Sequence, residues 1–320
     1  MKRYPIGIQD FEKMRSGDYL YVDKTELIHS LIQNGAYYFL SRPRRFGKSL
    51  LLSTLKYIFQ GRKDLCEGLW IGSSDFSFDP HPVLHFHFES LDYQGVGLEQ
   101  ALSIELKQQA KKYGLTLTAP TLKQQFKELI HTLGHEQGVV ILVDEYDKPL
   151  VEYIDDPVKA EVNREIIRNF FSVIKSSDAY LRFFLVTGVS RFSKVSLFSD
   201  LNNLQDITLH YEYATIAGYT QDELERYFSE AFIQVAQRYH MTEEELTQQI
   251  RKWYNGYQWN VGQPVYNPFS ILNFFSSQRF ANYWWNTATP TFLLKLLRKN
   301  FAYDVGELTA NIHVLDNLAT

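Results

Sequence analysis

Apolar residues along this chain fall into short, nearly unbroken runs that alternate with longer stretches of helical spacing. Residues 37–41, Val83 to Phe88, Val139 to Val143 and Leu181 to Val186 are the runs, the mark of strands covered on both faces. Leu50 to Phe59 and residues 97–113, 121–133 and 158–176 carry the helical spacing. Strands alternating with helices predict an α/β fold: a three-layer α/β/α core around a parallel sheet. Residues 1–35 form an N-terminal segment ahead of it. Within that segment Tyr19 to Val22 is a short aromatic, β-prone run, and Asp23 followed by Glu26 a capping-box-like start. Leu27, Ile28, Leu31 and Ile32 then give the apolar face of a helix that Gly35 ends.

The pattern changes after about residue 216. Thr220 with Glu223 and Thr242 with Glu245 are capping boxes, and Asn267-Pro268 opens a third helix with proline at its first position. Tyr254-Asn255-Gly256-Tyr257 has the chemistry of a hairpin turn. The expected organisation is therefore an N-terminal segment (1–35), an α/β core (36–216) and a mostly helical second domain (217–320). Internal repeats and low-complexity tracts are absent from the sequence.

Composition narrows the function classes. The 320 residues are 45% hydrophobic and 22% charged, ordinary globular usage, with 21 Tyr and 23 Phe that favour an aromatic interior. A net charge of −4 gives no global field for nucleic acid, so any DNA contact would need a local basic patch. Cys66 is the single cysteine, which suits a small buried residue in a reducing compartment. Met1 to Asp10 lacks the apolar run of a secretory signal, and no stretch is long and apolar enough to span a membrane. A cytoplasmic protein is expected.

Chemistry enters at the end of the first core strand. Gly47-Lys48-Ser49 is the second half of the phosphate-loop pattern, and it sits where that pattern must sit, between a strand and an apolar helix. Backbone N–H groups at a helix N-terminus surround phosphate oxygens. Gly47 lets the backbone approach closely, Lys48 brings charge to the outer phosphates, and Ser49 offers a hydroxyl to Mg²⁺. The position of the first glycine holds Arg42, and the expectation is that Arg42, Arg44 and Arg45 add positive charge beside the phosphates. A rival is a surface basic loop that merely opens a helix.

Val139 to Val143 leads into Asp144-Glu145. An aspartate there helps hold Mg²⁺, and the adjacent glutamate orients and deprotonates the attacking water. Asp147 is expected to cap the next helix. The neighbouring run, Leu181 to Val186, ends in Thr187-Gly188-Val189-Ser190-Arg191. Thr187 is a candidate contact for the water or γ-phosphate, and Arg191 a candidate arginine finger for its own or a neighbouring subunit, the latter making a homo-oligomer. His85 and His87 share a strand face but lack a third metal ligand. Tyr254, Tyr257 and Trp259 read as core, and Lys107, Lys111 and Lys112 as a solvated helix face.

Taken together these stretches resemble a known family. Pro5-Ile6-Gly7-Ile8 with Asp10-Phe11, Tyr21 to Thr25, Arg42 to Ser49, Val143 to Asp147, Thr187 to Arg191, Leu201 to Leu204 and Trp253 to Tyr257 are similar to the bacterial predicted AAA-ATPase-like proteins, P-loop ATPases near the AAA+ and STAND groups. The resemblance covers nearly the whole chain. It implies a P-loop core with an additional strand, a helical lid, and ATP with Mg²⁺ as the ligand. It also implies that Arg42 to Ser49 is the family's own form of the loop. Arg44, Arg45, Phe46, Gly47, Lys48, Ser49 and Leu50 would then contact the nucleotide, and Asp23, Lys24 and Thr25 would lie by its base. Many members carry a further C-terminal domain similar to PD-(D/E)XK nucleases. No carboxylate–lysine pattern of that kind precedes Thr320, so nuclease activity is not carried over.

The expectation is an ATPase in which Lys48 and the loop amides bind phosphate, Ser49 and Asp144 hold Mg²⁺, and Glu145 activates water. Two rivals remain at this point: a low-turnover nucleotide switch that controls a partner such as a nuclease, and a DNA-binding module that uses the arginines without nucleotide.

Overall fold

The structure is a computed structural model and describes residues 2–189, 198, 201–259 and 263–284. Its centre is a parallel sheet of β1 (Tyr37–Ser41), β2 (Val83–His87), β3 (Val139–Asp144), β4 (Leu181–Gly188) and the two-residue β5 (Gln205–Asp206), in the order β2-β3-β4-β1-β5. The strands form where apolar and β-branched side chains can be buried on both faces. Val139, Ile141 and Val143 enter one core together with Phe39, Phe184 and Val186. Val140 and Leu142 enter the opposite one with Tyr38, Leu40, Phe183 and Leu185. Each such buried side chain contributes about 1.5–3 kcal/mol, and alternation along the strand builds three layers.

Helices α1 (Phe11–Ser16), α2 (Thr25–Asn34) and α3 (Lys48–Phe59) cover one face. Helices α4 (Leu98–Lys112), α5 (Leu122–Gly134) and α6 (Pro157–Phe171) cover the other. The predicted helix over 158–176 is broken at Ser172, beyond which a separate turn, Val173–Ser176, follows.

Beyond the sheet come α7 (Gln221–Tyr227), α8 (Ser229–Tyr239), α9 (Glu243–Tyr254) and α10 (Pro268–Ser277). Thr220 with Glu223 and Thr242 with Glu245 form complete capping boxes. The Asn267 side chain accepts from Ser270 N–H, with Pro268 in the first turn. These helices share their own core, including Leu224, Phe228, Phe232, Val235, Leu246, Ile250, Phe274 and Phe275. Residues 285–320 of the expected second domain lie outside the described residues.

Several local expectations are corrected. Tyr19 to Val22 is no strand: Tyr19 makes one isolated bridge with Arg3, while Tyr21 and Val22 plug two different cores. No neighbouring strand is there to extend the pairing. Asp23 does not form a capping box, because Lys24 holds the N-cap position and Asp23 Oδ1 accepts from the Thr25 amide and hydroxyl. Asn255-Gly256 does not itself turn a hairpin. Asn255 ends α9, and Tyr257 pairs antiparallel with Val265 across a longer connection. Among the described residues, no helix is long and apolar enough to cross a membrane.

Register sets up the site. His87 lies opposite Asp144, Val143 opposite Val186, and Ser41 opposite Gly188. The carboxyl ends of β2, β3, β4 and β1 are therefore level along one sheet edge, where crevices in such sheets take ligands.

Candidate functional site

The chain leaves β1 at Ser41 and turns back through two left-handed residues, Arg45 (φ +68°) and Gly47 (φ +95°), before α3 begins at Lys48. Glycine is needed at position 47 for that backbone angle. A side chain there would meet nothing within 4 Å, so the loop faces open space. No side chain caps α3, and its first amides are left for an external acceptor. Lys48 is buried, and its ammonium donates to the carbonyls of Arg42 (2.9 Å) and Pro43 (3.2 Å). Burial pulls its pKa down, opposed by the nearby charges of Asp144, Glu145 and Asp147.

Two loop residues depart from expectation. Arg42 does not face the cavity. It is 1% exposed, and its guanidinium donates to the carbonyls of Ser41 (2.9 Å), Thr208 (2.7 Å), Tyr213 (3.4 Å) and Ala214 (3.5 Å). Burial pushes the guanidinium down to about 9, so it stays charged at neutral pH; its two terminal nitrogens donate to carbonyls, while the buried Nε has no partner among the described residues. Phe46 is equally buried, packed with Trp259 and Val265, and its side chain is absent from the cavity wall. Arg44, Arg45, Gly47, Lys48, Ser49 and Leu50 do line it.

At the end of β3, Asp144 is buried and its Oδ1 accepts a 2.8 Å bond from Thr187. Glu145 follows with φ +53°, a left-handed angle that costs a side-chain-bearing residue about 1–3 kcal/mol and turns its carboxylate into the cavity. Its pKa is raised, mainly by burial, with Lys48 acting against the shift. Thr187 is fully buried and holds Asp144; it does not reach the cavity wall. Asp147 stands at the N-cap of a short turn, yet its carboxylate makes no capping bond and accepts instead from Val189 N–H at 3.0 Å. Arg191 lies outside the described residues.

These groups enclose a cavity of about 600 Å³ whose wall includes both Lys48 and Ser49 and the Asp144-Glu145 pair. The lysine turn and the carboxylates converge although their strands are not adjacent: β4 runs between β1 and β3. His87, Glu89 and Ser90 complete that end. His87 was discounted on local grounds. Only the pairing of β2 with β3 brings its Nδ1 within 3.9 Å of Asp144 Oδ2. The lining also includes apolar Pro5, Ile8, Leu20, Pro268, Phe269 and Leu272, with Gln9 and Tyr219.

Asp23, Lys24 and Thr25 are not part of this wall. Asp23 Oδ2 accepts from Trp70 N–H (2.7 Å), Thr25 Oγ1 from Ile71 N–H (3.1 Å), and Lys24 pairs with Glu223 at 2.5 Å. They fasten the N-terminal segment to α7 and to the turn at Trp70. For Mg²⁺ the donors fit: the Ser49 hydroxyl and the Asp144 carboxylate share one cavity and are hard oxygens, the set a cation with phosphate and water ligands uses. Among the described residues no cluster of three or more His, Cys, Asp or Glu forms a separate metal site.

Residues 5–198 match the family model described as "Predicted AAA-ATPase". Over 309 residues, 94% of this chain, the sequence is 43% identical to the "Uncharacterized protein in vnfD 5'region" of Azotobacter chroococcum mcd 1. The chain spans 57% of that relative's length. No solved structure matches. With the family model covering more than half of its residues, the chain belongs to the family of predicted AAA-ATPases.

Proposed function

We propose that this chain binds a Mg²⁺-nucleotide, ATP in the first place, and hydrolyses its terminal phosphate. One observation carries the reading: a single cavity is lined by Lys48 and Ser49 together with Asp144 and Glu145. In this reading the amides at the start of α3 and the Lys48 ammonium bind the phosphates. Lys48 gives up its two carbonyl partners to do so. Ser49 and Asp144 hold the cation, which when bound neutralises phosphate charge. Glu145, desolvated and set apart by its backbone angle, orients and deprotonates water. The base packs on the apolar part of the lining, to which Ile8 and Phe269 belong. Positioning and electrostatics supply the catalysis.

Calorimetric titration with Mg-ATP and Mg-GTP, followed by phosphate release, tests the proposal. Wild type should bind and Lys48→Ala should bind about 10- to 100-fold more weakly, the worth of a charge-assisted contact. Equal affinity in the two proteins would remove the basis for the assignment. The raised pKa of Glu145 makes its carboxylate a stronger base, which favours hydrolysis over the low-turnover switch acting on a partner such as a nuclease. The DNA-binding alternative loses one of its three loop arginines to burial.

A further inference from the structure

Beyond the carbonyls that hold Arg42, each residue of the loop from Arg42 to Phe46, Pro43 apart, contacts a residue that follows position 217. The Arg42 guanidinium lies 4.6 Å from the Trp259 ring. The Arg44 carbonyl accepts the Trp284 indole N–H at 3.0 Å. The Arg45 guanidinium lies 5.3 Å from the Phe269 ring. Phe46 is gripped twice. Its carbonyl accepts from Gly218 N–H at 3.2 Å. Its ring meets Tyr257 (4.7 Å) and Trp259 (5.5 Å) edge-on, with Val265 completing the cluster.

These partners sit at the helix ends. Gly218 precedes the Thr220 cap of α7, Tyr257 follows the Asn255 cap of α9, and Phe269 lies in the first turn of α10. Gly218 is itself constrained: its φ is +98°, and a Cβ there would come within 2.9 Å of Val265. Close-packed side chains pass displacement on rather than absorb it. A ring locked between such neighbours therefore cannot move alone.

We propose that Phe46 is a positioning residue and the joint between cavity and helices. It sets the course of the Gly47–Ser49 amides, and their rearrangement around a phosphate is passed through Tyr257, Trp259 and Gly218 to α7, α9 and α10. The inference rests on the nucleotide reading of the cavity. It adds the route by which occupancy reaches the helices: through the back of the loop, away from the cavity.

Hydrogen-exchange mass spectrometry of the full chain, with and without Mg-ATP and with affinity measured in parallel by calorimetry, tests it. In wild type, nucleotide should slow exchange severalfold both in α3 and in peptides covering 221–256, which lie outside the cavity wall. Phe46→Ala should weaken binding about tenfold and abolish the remote protection. Phe46→Leu, which refills most of the volume, should restore part of both. Trp284→Phe keeps a ring but removes the N–H to Arg44, and should lower the remote protection without unfolding the cluster. Wild type that binds Mg-ATP and protects α3 while leaving 221–256 unchanged overturns the joint and leaves the nucleotide reading intact. Retained remote protection in a folded Phe46→Ala does the same. A wild type that binds no nucleotide sinks both.

Discussion

The Thr187 hydroxyl donates a 2.8 Å hydrogen bond to Asp144 Oδ1 across the boundary between β3 and β4. Both residues are buried, so this donor has no solvent substitute. Thr187→Val keeps the shape and removes the donor, leaving a buried carboxylate short of a partner. A stability loss of about 1–3 kcal/mol is expected, read by chemical denaturation. The Mg²⁺ dependence of nucleotide affinity should shift to higher concentration, and Thr187→Ser should recover most of both effects. Recovery of stability without recovery of the Mg²⁺ dependence would argue against a positioning role.

Restoring the glycine of the phosphate-loop pattern should harm this protein. Arg42→Gly removes a guanidinium that donates to four carbonyls and lies against Trp259. The expected cost is roughly 2–4 kcal/mol, given the strength of bonds from charged donors. Arg42→Lys should not rescue it, since an ammonium cannot reproduce the planar fork. Thermal melts of the two variants beside wild type decide the matter.

Glu145 carries backbone strain at the wall of the cavity. Glu145→Gly relieves the left-handed angle and should raise stability, by about 1 kcal/mol, while ending steady-state phosphate release. Glu145→Gln keeps the strain and should retain binding with hydrolysis lost. Unchanged turnover in Glu145→Gln would favour the switch reading, in which there is little turnover to lose.

One acid-sensitive element is readable from the Thr242–Glu245 box. Hydrogen bonds from the Thr242 amide, then its hydroxyl, hold the Glu245 carboxyl below its ordinary value of 4.5. The folded pKa is thus lower than the unfolded one. Its contribution is complete above the ordinary carboxylate range and disappears as pH falls through the folded value. The stability difference between wild type and Glu245→Gln should therefore be largest near neutrality and close as the solution is acidified below about 4.5. A difference that stays constant from pH 7 to pH 3 would show that the box adds no linked proton uptake.

Local signals were legible. β1 runs over the residues its apolar run predicts, and both capping boxes and the Asn267-Pro268 start form as their side-chain chemistry requires. Each depends on neighbours within four residues. Positions whose meaning depends on distant partners were not legible. Arg42 looks like a phosphate ligand until Thr208, Tyr213 and Ala214 turn their carbonyls toward it. Asp23 looks like a cap until Trp70 offers an amide. His87 gains its place in the cavity from strand order alone, and Phe46 its burial from residues about two hundred positions downstream, a separation that composition and periodicity do not encode.

The buried arginine at position 42 has a consequence for affinity. Phosphate loops rich in glycine must give up conformational freedom when they wrap a ligand. Here that freedom is already lost when the polypeptide folds, because the first turn of the loop is bolted to strand ends and an indole. On the nucleotide reading, docking is spared the ordering penalty of a slack first turn, and only the Gly47–Ser49 amides are left to adjust around the phosphate.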